Sequence, residues 1–175
     1  MQYLDLASRV ALALIFAVSV FAKIRNSAAF AGFKAGLTAM RVVPRAAISA
    51  LAVAVVAAEI GTLLALPVFG VAGLLMATAL LGAFSAAITA VVVRGTAASC
   101  PCFGVSPVRF GRRHLVRNGA LMVLALGGAA SSDSAGALTR PGVMLAVVAA
   151  LVFAIIVVAF EDIVETFRPS QGVPG

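Results

Sequence analysis

The chain has only two cysteines, and they stand one residue apart in Cys100-Pro101-Cys102-Phe103-Gly104. Two cysteines scattered at random along a chain of this length would fall so close about once in forty, so the pairing asks for a chemical reason. An apolar run ending in Arg94 precedes the motif, and a basic stretch with Arg109, Arg112 and Arg113 follows it. Cations near a thiol stabilise the thiolate, which is the nucleophile of thiol–disulfide exchange. Three chemistries fit. A redox dithiol would close a very small disulfide ring, so the backbone must bend to bring the two Cα atoms into bonding range. Pro101 holds its own φ and narrows the choices of Cys100. A strained disulfide is easily reduced, which suits exchange better than bracing. A soft-metal site would also suit two thiolates, but only His114 and scattered methionines are left to complete it. A structural turn would use the Pro and Gly and leave the sulfurs idle. Spacing and basic surroundings favour the dithiol, and no metal site is assigned.

Glu59 is the second candidate, because it is the only charged residue between Ala46 and Val93. A carboxylate inside an apolar segment is costly and marks a functional or paired group. Lys23 and Arg94 are the cations at the ends of the neighbouring apolar runs. Glu59 lies 13 residues beyond Ala46, about 20 Å of helix at 1.5 Å per residue. A direct pair therefore requires Glu59 to sit nearer that end than the count suggests. Its side chain is expected to face the helices around it and not lipid. Arg117-Asn118 opens a later apolar run, where Asn118 is placed to bond either the cysteine loop or a neighbouring helix. With one histidine in the chain, most hydrolase mechanisms lack a base.

The elements that hold these residues follow from composition. Of 175 residues, 63% are hydrophobic and 11% charged, and the mean hydropathy is +1.16. Soluble domains carry about 45–50% apolar and about 25% charged residues. A soluble enzyme, a disordered chain and a free nucleic-acid-binding domain are excluded, despite the net charge of +7. The fold class is all-α, a polytopic transmembrane helix bundle of four to five spans with membrane lipid as its surroundings. At about 20 residues per span, the runs are Leu6–Ala22, Ala46–Leu66, Val71–Val93, Leu115–Ala130 and Gly142–Phe160. Pro67 and Gly70 break the second from the third, which predicts a tight hairpin. The Leu115 run is the weakest, since Arg117 and Asn118 lie in it, and it is either a fifth span or half-embedded. The first run lacks the basic start and small-residue cleavage site of a signal peptide. Residues 1–168 are expected to form one domain, and 169–175, rich in Pro and Gly, a disordered tail.

Between the first two runs, Phe30, Phe33, Leu37 and Met40 recur at helical spacing, with Lys34 and Arg41 towards the other side. This fits a helix lying in the membrane surface or a helical cap packed on the bundle. With five spans, eleven basic residues fall on the side of loops one and three and the tail, against Arg9 and Arg140 opposite. The positive-inside rule then puts the Cys-Pro-Cys loop in the cytoplasm.

Phe21-Ala22-Lys23-Ile24-Arg25, Glu59, Arg94-Gly95, Cys100-Pro101-Cys102-Phe103-Gly104 and Arg117-Asn118 together resemble the MauE family of methylamine utilisation proteins, related to DoxX-like membrane proteins. The resemblance runs from about Leu4 to Ala130, and the Cys-x-Cys-Phe-Gly element is its most specific part. It implies a multi-pass protein of the bacterial plasma (inner) membrane, engaged in thiol–disulfide chemistry. Such proteins support maturation of the disulfide-rich, exported small subunit of an amine dehydrogenase, with a thioredoxin-like partner. Cys100 and Cys102 would be the exchanging pair, with Lys23, Glu59, Arg94 and Asn118 as supporting family positions. Pro101 stands where family members often have Gly. The residues require no cofactor; a quinone is the candidate electron carrier. The rival readings are a non-catalytic DoxX-like subunit that anchors or assembles a redox complex, and a small carrier built around Glu59.

Overall fold

In lipid a chain must satisfy its backbone polar groups within each segment, so long apolar runs fold as helices. The structure is a computed structural model, and it describes residues 2–41, 43–94, 112–132 and 139–166. These hold six α-helices and no strand: α1 Gln2–Ile24, α2 Ser27–Met40, α3 Ile48–Val68, α4 Val71–Val93, α5 Arg112–Ala130 and α6 Arg140–Thr166. A 3-10 turn over Arg45–Ala47 leads into α3. The five apolar runs of the sequence are α1, α3, α4, α5 and α6. Cys100, Cys102 and the tail 169–175 lie outside the described residues.

Local chemistry sets the breaks. Asn26 caps α2, its side chain accepting from the Ala29 N–H at 2.7 Å, which satisfies one of the open donors of the first turn. Pro67 falls in the last turn of α3, and Gly70 (φ +53°) lets the chain reverse into α4. The two helices then pack so closely that a Cβ on Gly73 would stand 2.6 Å from the Ala65 carbonyl oxygen. Buried and half-buried hydroxyls bond back to their own helix, as Ser8 Oγ does to the Leu4 carbonyl (2.7 Å), Thr62 Oγ1 to Ala58 (2.8 Å) and the half-buried Ser85 Oγ to Leu81 (2.8 Å). Such bonds dispose of a polar group in an apolar setting.

Helices α1, α3, α4 and α5 form a ring in which each packs on the next, and α5 closes on α1. Helix α6 packs on α1 from outside the ring, and α2 packs on α1 and α3. Phe33, Leu37 and Met40 of α2 are buried with Ile48, Ala52 and Val56 of α3 and Val91 of α4. Loop one is therefore a cap packed on the bundle.

Four segments are long and apolar enough to cross a membrane: Gln2–Ile24, Arg45–Val68, Val71–Val93 and Arg140–Ala159. Helix α5 falls outside this set because its first two turns carry Arg112, Arg113, His114, Arg117 and Asn118. It still runs the length of the bundle. Gly128 meets Ser8 near the start of α1, where a Cβ would stand 2.7 Å from the Ser8 Cβ, while Asn118 lies near the opposite end. Large apolar side chains such as Leu64, Val123, Leu145 and Ile155 point outward. A surface as apolar as the interior is what lipid requires and water does not tolerate.

Candidate functional site

The sequence count set Glu59 too deep to meet Lys23, yet Lys23 Nζ donates to Glu59 Oε1 at 2.9 Å. Helical side chains lean towards their own N-terminus. Helix α1 arrives at the loop-one end, so Lys23 leans back into the bundle. Helix α3 leaves from that end, so Glu59 leans towards it. The two side chains converge from opposite directions and both are buried, Lys23 at 3% and Glu59 at 1% exposure. Glu59 faces the bundle interior, as expected.

Burying two charges is tolerable only where the remaining hydrogen-bonding capacity is used. Lys23 Nζ also donates to Ser19 Oγ (2.6 Å) and to the Ser19 carbonyl (3.3 Å), which accounts for its three N–H bonds. Ser19 Oγ in turn donates to Glu59 Oε1 at 3.0 Å. The Phe33 ring of α2 covers the ammonium, 5.3 Å from centroid to Nζ, a cation–π contact that offsets part of the desolvation. Glu59 Oε2 is buried and has no hydrogen-bond partner among the described residues.

A cavity of about 360 Å³ adjoins this cluster. Helices α1 to α5 all contribute to its wall, which is apolar apart from Ser19, Lys23, Glu59, His114, Arg117 and Asn118. Asn118 is 1% exposed. Its Nδ2 donates to Ser85 Oγ of α4 at 3.4 Å, and its Oδ1 accepts from Arg117 Nη2 at 3.2 Å. Of the two bonding roles expected for Asn118, the structure displays the link to a neighbouring helix. Arg117 was counted with the loop charges, but it lines the cavity.

Three of the anticipated residues, Lys23, Glu59 and Asn118, thus border one chamber. Arg94 does not join them: it caps the C-terminus of α4 and is exposed. The connection carrying Cys100 and Cys102 leaves α4 at Arg94 and enters α5 at Arg112, and both helix ends lie at the Lys23 end of the bundle. Sequence reasoning missed Ser19, and it named His114 and Arg117 without placing them at this chamber. Ser19 stands one turn before Lys23 on the same helix face, a spacing that could have singled it out. His114 and Arg117 gave no signal of facing inward.

Residues 1–131 match the family model described as methylamine utilisation protein MauE. No curated protein and no solved structure matches the chain.

Proposed function

The chain belongs to the MauE family, and we propose that this multi-pass membrane protein carries out thiol–disulfide exchange through Cys100 and Cys102. The exchange would support disulfide formation in an exported protein such as an amine dehydrogenase small subunit, with a thioredoxin-like protein as partner. The observation that carries this reading is the placement of the only two cysteines. They stand one residue apart on a connection whose two ends, Arg94 and Arg112, share an end of the bundle with Lys23, Glu59 and Asn118. In each turn a partner thiolate attacks one sulfur of the Cys100–Cys102 disulfide and a mixed disulfide forms. The partner's second thiolate then resolves it. The partner leaves oxidised by two electrons, and Cys100 and Cys102 leave as thiols. Asn118 ties α5 to α4, the two helices whose ends present the connection, Arg94 ends α4, and the Lys23–Glu59 pair fastens α1 to α3 beside them.

The charge asymmetry favours a second reading of direction. Under the positive-inside rule the cysteine connection faces the cytoplasm of a bacterial plasma membrane, and there the dithiol would pass reducing equivalents into the membrane. The test common to both is an alkylation mass-shift assay after graded dithiol treatment. A reversible intrachain disulfide is expected, more easily reduced than a structural one. Two thiols that stay free under strong oxidant would overturn the exchange reading and leave a non-catalytic membrane subunit.

A further inference from the structure

The chamber beside the Lys23–Glu59 pair has a chemistry that thiol exchange does not use. We propose that it is a binding site for a lipid-soluble quinone, whose ring oxygens meet Glu59 Oε2 and the Asn118 side-chain amide. Its volume of about 360 Å³ is at the small end of ligand pockets, about 300–1,000 Å³. That suits a single substituted ring with the start of a tail. Its walls, with Phe16, Leu37, Leu81, Phe84 and Ile88 among them, ask for an apolar occupant that arrives from the bilayer.

The polar groups narrow the occupant further. Lys23 spends its three N–H bonds on Ser19 and Glu59, so this ammonium is not waiting for an anionic ligand. The pair leaves over one acceptor, Glu59 Oε2, buried and without a hydrogen-bond partner among the described residues. Leaving such an oxygen unsatisfied is costly, so the occupant should carry an O–H. Asn118 Nδ2 directs one N–H to Ser85 Oγ, and a primary amide has a second, so the occupant should also carry a carbonyl. A quinone and its hydroquinone present both groups on one rigid apolar ring. The hydroquinone O–H donates to the Glu59 carboxylate, and the quinone carbonyl accepts from the Asn118 amide. A lipid acyl chain would fill the walls and leave Oε2 without a donor.

The redox step rests on the thiol–disulfide reading, whereas the binding does not. A dithiol loses two electrons and two protons: two S–H bonds break and one S–S bond forms. The quinone takes up both electrons and both protons and becomes the hydroquinone.

The test titrates a short-tailed benzoquinone into the full chain in lipid nanodiscs and follows binding by equilibrium dialysis. The Cys100→Ser/Cys102→Ser variant is expected to bind as the parent does. Ala87→Phe, which adds a ring to the chamber wall from α4, should weaken binding at least tenfold in protein that still melts cooperatively. Glu59→Gln should weaken the hydroquinone more than the quinone. Quinone binding that Ala87→Phe leaves unchanged would overturn the site, as would a parent that binds no quinone and retains only lipid. Cysteines that pair under another oxidant in a protein without quinone binding would overturn the site and spare the exchange reading. Quinone binding in a protein whose cysteines never pair would uphold the site and remove the exchange reading.

Discussion

Lys23 and Glu59 are opposite charges held in a setting where either one alone would be untenable. Their support is close to complete on the cation and incomplete on the anion, since Ser19 serves both residues while Oε2 is left over. Removing one partner strands the other, and such a break costs about 3–5 kcal/mol where a pair is buried. Glu59→Ala should therefore lower the melting temperature in detergent markedly. Glu59→Gln should be milder, because the amide oxygen still accepts from Lys23. The double variant Lys23→Met/Glu59→Met should melt above Glu59→Ala, since no charge is then left unpaired. If all of these melt like the parent, the pair does not support the fold. Both members were legible in the sequence because a charge in an apolar run demands a partner. Ser19 was not, because a serine in a span is ordinary.

At the scale of elements, the α3–α4 hairpin depends on close backbone approach. A Cβ on Gly73 would stand 2.6 Å from the Ala65 oxygen and 2.7 Å from the Leu66 Cα, and backbone cannot move aside as a side chain can. Gly73→Ala should then destabilise by about 1–3 kcal/mol, as overpacking does. Gly61 provides the control, since a Cβ there would meet nothing within 4 Å. Gly61→Ala in the same assay should be neutral or stabilising by up to about 1 kcal/mol, through helix propensity alone. Equal losses at both glycines would show that the hairpin contact is not what matters. The hairpin itself was legible from Pro67 and Gly70, which break a helix by rules local to the chain. The role of Gly73 was not, because it depends on what lies across from it.

At the scale of the whole molecule, the ring of α1, α3, α4 and α5 places loop one and both ends of the 95–111 connection at one end. The opposite end holds Gly70, where a Cβ would stand 3.2 Å from the Arg9 guanidinium, and Thr139, bonded to Tyr3 Oη at 3.0 Å. Lys23 and Arg117 belong to the chamber, so they are poor witnesses to sidedness, yet the remaining basic residues keep the same bias. With Cys100 and Cys102 replaced by Ser, a cysteine at Ser132 should react with an impermeant reagent in whole cells. One at Ser106 should not. The reverse pattern would turn the protein over and place the cysteine connection outside, where oxidation of an exported protein takes place.

By itself the sequence determined that the chain is a helical membrane protein, where its apolar runs lie, and that Glu59 needs company. These follow from the cost of polar groups in hydrocarbon, which each segment must meet on its own. Only the tertiary structure decided that Lys23 is the partner and Arg94 is not. It also decided that α2 caps the bundle, that α5 traverses it, and that Asn118, His114 and Arg117 border one chamber with the ion pair. Lipid and protein interior are both apolar, so hydropathy sends a helix into the membrane without saying which face meets which neighbour. That choice was made by the lean of side chains on antiparallel helices and by close contacts at Gly73 and Gly128, which exist only once the helices are packed.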